Sequence, residues 1–153
     1  MTVTDHEYLK KILLAPVYDV AVNSDLVLLS RLTAELGNDV FLKREDQQPV
    51  KSFKLRGAYN RIASLSPQQL EAGVIAASAG NHAQGVAYSA NMKGINATIV
   101  MPETTPDIKI EAVRRFGGQH ANVVLHGTNF DTASAHARAL SAEHGYTLIP
   151  PFD

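Results

Sequence analysis

The chain has 153 residues, a net charge of −1 and 19% charged residues, an ordinary balance for one globular domain. With 14 basic against 15 acidic side chains, it lacks the basic excess that a nucleic-acid surface needs. The absence of cysteine excludes disulfides and thiolate metal sites, and no apolar run reaches the length of a membrane span.

The first residues mix Asp5 and Glu7 with Lys10 and Lys11, which is not a signal-peptide pattern. Tyr8, Leu9, Ile12 and Leu13 predict a helix within 1–14, ended by Pro16. Leu26, Leu29, Leu32 and Leu36 predict a second helix over 26–36, with Gly37-Asn38 as its stop. A strand over 40–44 follows, with Glu45-Asp46 reading as its solvated end. Ser52 is the expected N-cap of a helix over 54–64. From there helices over 67–72, 81–92, 108–116 and 129–144 alternate with strands over 74–77, 97–101, 123–125 and 146–149. This alternation predicts an α/β fold, an open parallel sheet of about four strands flanked by helices.

Two stretches carry chemistry. Lys54 lies in the first turn of its helix, where the dipole and unpaired N–H groups disfavour a second cation. Lys51 and Arg56 crowd the same six residues. Crowding of this kind suits a lysine that must supply a neutral amine, as a Schiff-base lysine does. Taken alone, the stretch fits a solvated basic helix start better. In the second, the run Val74–Ala77 feeds Ser78-Ala79-Gly80-Asn81-His82 and then an alanine-rich helix. A strand opening through small residues into a helix makes an anion site from backbone N–H groups. Gly80 and Gly85 mimic a P-loop, but Val86-Ala87 stands where Lys-Ser/Thr should, so the anion expected is of carboxylate size. No histidine spacing suggests a metal site, and no serine sits in a nucleophile elbow.

The text KREDQQPVKSFKLRGAYN, then ASAGNHAQGVA, IVMPETTPDIKIEAVRRFGG, LHGTNFD and PPFD resembles the fold-type II family of pyridoxal-phosphate enzymes, within it the biosynthetic threonine dehydratases. The resemblance implies a cytoplasmic lyase that uses pyridoxal 5'-phosphate and converts L-threonine, or L-serine, to a 2-oxo acid and ammonia, the first step of isoleucine biosynthesis. Lys54 would carry the cofactor and act as the base. Phe53 would pack beside its ring, although a core role fits Phe53 as well. Asn81 would hydrogen-bond its phenolic oxygen, and Ser78, Ala79, Gly80, Asn81 and His82 would clamp the substrate carboxylate. His82 reads more as a structural group than as an acid or base. Related serine racemases place a serine at the position of Ala79, which has no proton to give, so elimination is expected over racemisation.

The resemblance further implies that 54–153 form the small α/β domain and that 1–53 dock on a larger domain. It implies partners limited to a small substrate and further copies of the chain, with neither nucleic acid nor membrane. The match covers only the front of that family's catalytic region, so weak cofactor binding and no turnover are expected of these residues alone, with Leu29, Leu32, Val40 and Leu42 open to solvent. The alternative is a non-catalytic module that binds a partner chain. Two departures stand out. Asn23-Ser24-Asp25-Leu26 replaces a Thr-Pro-Leu turn, and Gln119-His120-Ala121-Asn122 reads as a neutral insertion in a surface loop.

Overall fold

The computed structural model describes residues 5–152. Helix α1 (Asp5–Leu14) leads through a short 3-10 turn to strand β1 (Leu26–Leu28), helix α2 (Ser30–Leu36) and strand β2 (Phe41–Lys43). Then come α3 (Lys54–Ala63), α4 (Pro67–Ala72), β3 (Val74–Ala77), α5 (Asn81–Lys93) and β4 (Ala97–Met101). The chain continues with α6 (Asp107–Gly117), β5 (Ala121–Leu125), α7 (Phe130–His144) and β6 (Thr147–Leu148). Strands β1 and β2 pair antiparallel by themselves, while the other four form a parallel sheet in the order β5-β4-β3-β6.

The central strands are buried along their whole length, and apolar except at Thr98, because both faces are covered. Val74, Ala76, Ile99 and Met101 pack with Ala58 and Ile62 of α3, Val86 and Ala90 of α5, and Val113 of α6. Ile75, Ala77 and Val100 point the other way, onto Ala133 and Ala137 of α7. The helices that follow β3 and β5 therefore lie on opposite faces, and the order in which strands join the sheet reverses between β3 and β6, which run parallel. Open α/β sheets bind ligands in the crevice at such a reversal, beyond the carboxyl ends of the strands.

Three local expectations are corrected. Leu26–Leu28 is strand, not the first turn of a helix, and Leu26, Val27 and Leu28 pair with Lys43, Leu42 and Phe41. Leucine spacing over 26–36 fits a helix, but pairing with a distant strand satisfies the backbone of the first three residues and delays the helix to Ser30. Ser52 is not the N-cap of α3, because Phe53 occupies that position; the Ser52 hydroxyl still accepts the Lys54 N–H at 3.3 Å. Gln119–Asn122 is not a loop insertion throughout. Ala121 and Asn122 begin β5 opposite Ala97 and Thr98, since the free side of β4 offers them backbone partners. Residues 1–4 of the expected first helix lie outside the described residues. Leu32 and Leu42 are exposed as expected, whereas Leu29 and Val40 are half-buried.

Glu45 is also not a solvated strand end. Its carboxylate accepts from Arg56 Nε at 2.8 Å and Nη2 at 3.0 Å, and from Ser24 Oγ at 2.5 Å. The Arg56 guanidinium, helped by Ser24 and Gln48, holds the Glu45 carboxyl at about 2, against the upward push of burial. Because the folded value lies below the ordinary 4.5, the contribution is complete above about pH 4.5 and fades as pH falls through about 2. Replacing Glu45 with Gln is expected to cost about 2 kcal/mol at pH 7. Urea unfolding of Glu45→Gln and wild type should show that gap closing between pH 4.5 and pH 2. An equal gap at both ends would refute the assignment.

Candidate active site

The reversal between β3 and β6 gathers groups from three segments. From α3 comes Lys54, whose Nζ donates to the Pro151 carbonyl at 2.7 Å and lies 5.6 Å from the Phe53 ring and 5.0 Å from the Phe152 ring. From the end of β6 come Ile149, Pro150 and Pro151. From α5 comes His82, buried, with Nε2 2.8 Å from the Ile149 carbonyl oxygen. A carbonyl only accepts, so Nε2 carries the proton. Burial pushes the His82 imidazolium down, the Ile149 carbonyl opposes that, and the charge on Lys54 adds to it. His82 is thus a neutral tie between the start of α5 and the end of β6.

Phe53, Lys54, Gly57, Ala58, Arg61, His82, Pro150 and Pro151 line a cleft of about 160 Å³. The larger groove, about 570 Å³, runs between α1 and α3 past Glu7, Lys11 and Asn60, away from all of the expected site residues. Ser78, Ala79, Gly80 and Asn81 do not line the small cleft. They form the turn from β3 into α5 beside His82, with Ala79 and Asn81 exposed. The Ser78 N–H is bound to the Val100 carbonyl, and the Ser78 hydroxyl accepts from the Gly80 N–H at 3.2 Å. Gly80 occupies the N-cap position without any side-chain cap, so the first N–H groups of α5 stay open toward an anion. Phe53 is 60% exposed, which favours a wall for a ligand over a core role.

Gly85 decides how near these parts come. A Cβ there would meet the Lys54 carbonyl oxygen at 3.2 Å and the Leu55 nitrogen at 3.3 Å. Sequence reasoning noticed Gly85 only as half of a false P-loop, although a glycine inside a buried helix is itself a sign of close backbone approach. The Pro151 and Ile149 carbonyls were missed altogether, since backbone acceptors leave no mark in a side-chain pattern.

Residues 17–153 match the family model described as pyridoxal-phosphate dependent enzyme. The chain belongs to that family. It is 59% identical over 150 residues to a biosynthetic L-threonine dehydratase of Pasteurella multocida, covering 98% of this chain and 29% of the relative. The processed form of threonine deaminase isoform 2 from Solanum lycopersicum superposes with a TM-score of 0.90 at 55% identity, over 97% of this chain and 42% of that one. Maize serine racemase superposes at 0.88 with 28% identity, over 99% of this chain and 45% of that one. The chain thus spans less than a third of the length of the curated dehydratase. Its family uses pyridoxal phosphate, and the donor set fits that group: an amine in a cleft, an exposed aromatic face beside it, and an uncapped helix N-terminus next to both.

Gly85→Ala sets a helix-propensity gain of about 1 kcal/mol against overpacking of about 1–3 kcal/mol. The opposing atoms are backbone and yield poorly, so a net loss of about 1 kcal/mol is expected. Urea midpoints of the two proteins decide this, and a more stable Gly85→Ala would show that α3 can give way.

Proposed function

We propose that this chain supplies the lysine-bearing part of a threonine dehydratase, which converts L-threonine to 2-oxobutanoate and ammonia. The observation that carries the reading is the Lys54 amine, standing in a cleft at the sheet reversal beside the open start of α5. The dehydratase and deaminase relatives support the choice of substrate and reaction. Pyridoxal phosphate bound at Lys54 supplies an electron sink for the charge left when the substrate Cα proton departs.

The remaining work falls to side chains and backbone of this chain. Lys54, once its amine is freed, takes the Cα proton at Nζ as general base. Its acceptor among the described residues is the Pro151 carbonyl, a dipole and not a full negative charge. The open N–H groups from Asn81 onward, with the Ser78 hydroxyl, hold the substrate carboxylate. Phe53 would pack beside the cofactor ring, and the Asn81 amide would donate to its phenolic oxygen. His82 orients the segment that bears Pro151. Residues 1–53 dock on a further domain, a role supported by the exposed apolar side chains of β1 and β2. Assembly into homo-oligomers in the cytoplasm follows the resemblance; no described helix is long and apolar enough to cross a membrane.

Treatment with pyridoxal phosphate and borohydride, followed by peptide mapping, should place the reduced adduct on Lys54. Labelling of Lys51 instead would overturn the assignment. Made in a full-length version of the enzyme, Ala79→Ser, which adds a hydroxyl proton at the exposed turn before α5, should raise serine racemisation relative to elimination. An unchanged ratio of D-serine to pyruvate would show that other groups decide the outcome.

A further inference from the structure

The start of α3 is a poor place to fix a reactive lysine. Phe53 stands at the N-cap without a side-chain cap of its own, the Lys54 N–H has only a long 3.3 Å bond to the Ser52 hydroxyl, and the first turn carries two cations, Lys54 and Arg56. Uncapped N–H groups fray, and the positive end of the helix dipole repels both side chains. Farther along, Ala58 and Ile62 anchor α3 in the main core. The first turn enters a separate cluster through Leu55, fully buried with Val20, Ala21 and Val50, which fixes its depth at one point.

Glu45 supplies what the helix start lacks. It brings a negative charge to the first turn and grips the Arg56 guanidinium at two points, 2.8 Å and 3.0 Å. Two parallel bonds to a planar fork fix rotation as well as distance. The same guanidinium donates to the Val22 carbonyl at 3.1 Å and lies 5.4 Å from the Tyr18 ring. Glu45 in turn is held by Ser24 Oγ and by Gln48 Nε2, 3.3 Å from both carboxylate oxygens. Gln48 is fully buried and exchanges two 2.9 Å bonds with the Val22 backbone. Neither Glu45 nor Arg56 lines the cleft around Lys54.

We propose that Glu45 is a positioning residue for Lys54. Through Arg56 it sets the rotation of the first turn of α3, and with it the place from which the Lys54 amine meets the cofactor aldehyde. This role rests on the reading of Lys54 as the cofactor-bearing lysine. Glu45 opposes Gly85 across the helix start: α5 limits how far the Lys54 backbone can sink, and Glu45 limits how far it can turn.

The test compares wild type with Glu45→Gln, Arg56→Lys and Ser24→Ala, each in buffer where urea titration shows it fully folded. Pyridoxal phosphate is added, and visible absorbance and circular dichroism are recorded. The adduct is then trapped with borohydride and quantified at Lys54 by peptide mapping. Glu45→Gln is expected to slow formation of the Lys54 adduct about ten-fold, as small misplacements of a reacting group do. Its dichroism per unit absorbance should fall as well, because a loosely held chromophore loses its fixed asymmetric setting. Arg56→Lys, a single-point cation, should reproduce both effects, and Ser24→Ala should show them more weakly. A purely structural Glu45 would lower the urea midpoint and leave rate and dichroism ratio unchanged in the folded protein. That result in Glu45→Gln overturns the proposal; should this variant not fold, the same result in Arg56→Lys overturns it. Absence of any Lys54 adduct in wild type overturns the underlying assignment, and the positioning role with it.

Discussion

The contact of α3 with α5 at Gly85 is the constraint on which the site depends. Lys54 and His82 come from helices on the same side of the sheet, and they share a cleft because the two backbones lie in van der Waals contact there. Helix α5 achieves this with small residues: Ala83, Gly85, Ala87, Ser89 and Ala90 are all buried, and the Ser89 hydroxyl turns inward to the Gly85 carbonyl at 2.7 Å. Each such residue buries little apolar area, so the stabilisation comes from close packing of whole helices. The same device recurs where α6 ends, since a Cβ on Gly117 would stand 3.2 Å from that of Ala87. A helix flanked this tightly on two sides has little room to shift, and the turn before it inherits that rigidity.

What the sequence made legible follows from how local each signal is. The parallel sheet could be read because β3 and β4 are short apolar runs bounded by glycine or proline, and their crossover helices carry their own stops. Strand β1 could not be read, because its conformation depends on Phe41–Lys43, and its leucines suit a helix just as well. Lys54 and the turn from Ser78 to His82 were legible as residue types in an unusual setting. Their relation to each other was not, since it passes through a glycine and two backbone carbonyls. Glu45 was misread for a similar reason: nothing near it in the chain reveals that Arg56, eleven residues on, turns back to meet it.

Charge at the site is managed by pairing some groups and withholding partners from others. Arg56 is neutralised by Glu45, so of the two cations in the first turn of α3 only Lys54 faces the cleft. The Lys54 acceptor is a peptide carbonyl, which offers a dipole and no full negative charge. A carboxylate there would favour the ammonium form and compete with an incoming anion. His82, pushed toward its neutral form by burial and by Lys54, adds no charge to those of Lys54 and Arg61, which both line the cleft. The cleft therefore presents one amine, next to a helix start that also attracts anions, which suits a ligand with an aldehyde and a negatively charged substrate end.

The two-stranded sheet and the Lys54 helix share an anchor. Two strands alone are marginal in water, and this pair exposes Leu26, Leu28, Phe41 and Leu42. It persists because its open end is tied down: the Arg44 N–H is bound to the Asp25 carbonyl, Lys43 Nζ reaches the Ser24 carbonyl, and Ser24 donates to Glu45. Strand β2 runs within two residues into Glu45, which also holds Arg56. Apolar side chains at one end of this network and the lysine at the other are thus mechanically continuous. A displacement of β2 and a rotation of the first turn of α3 are resisted by the same carboxylate.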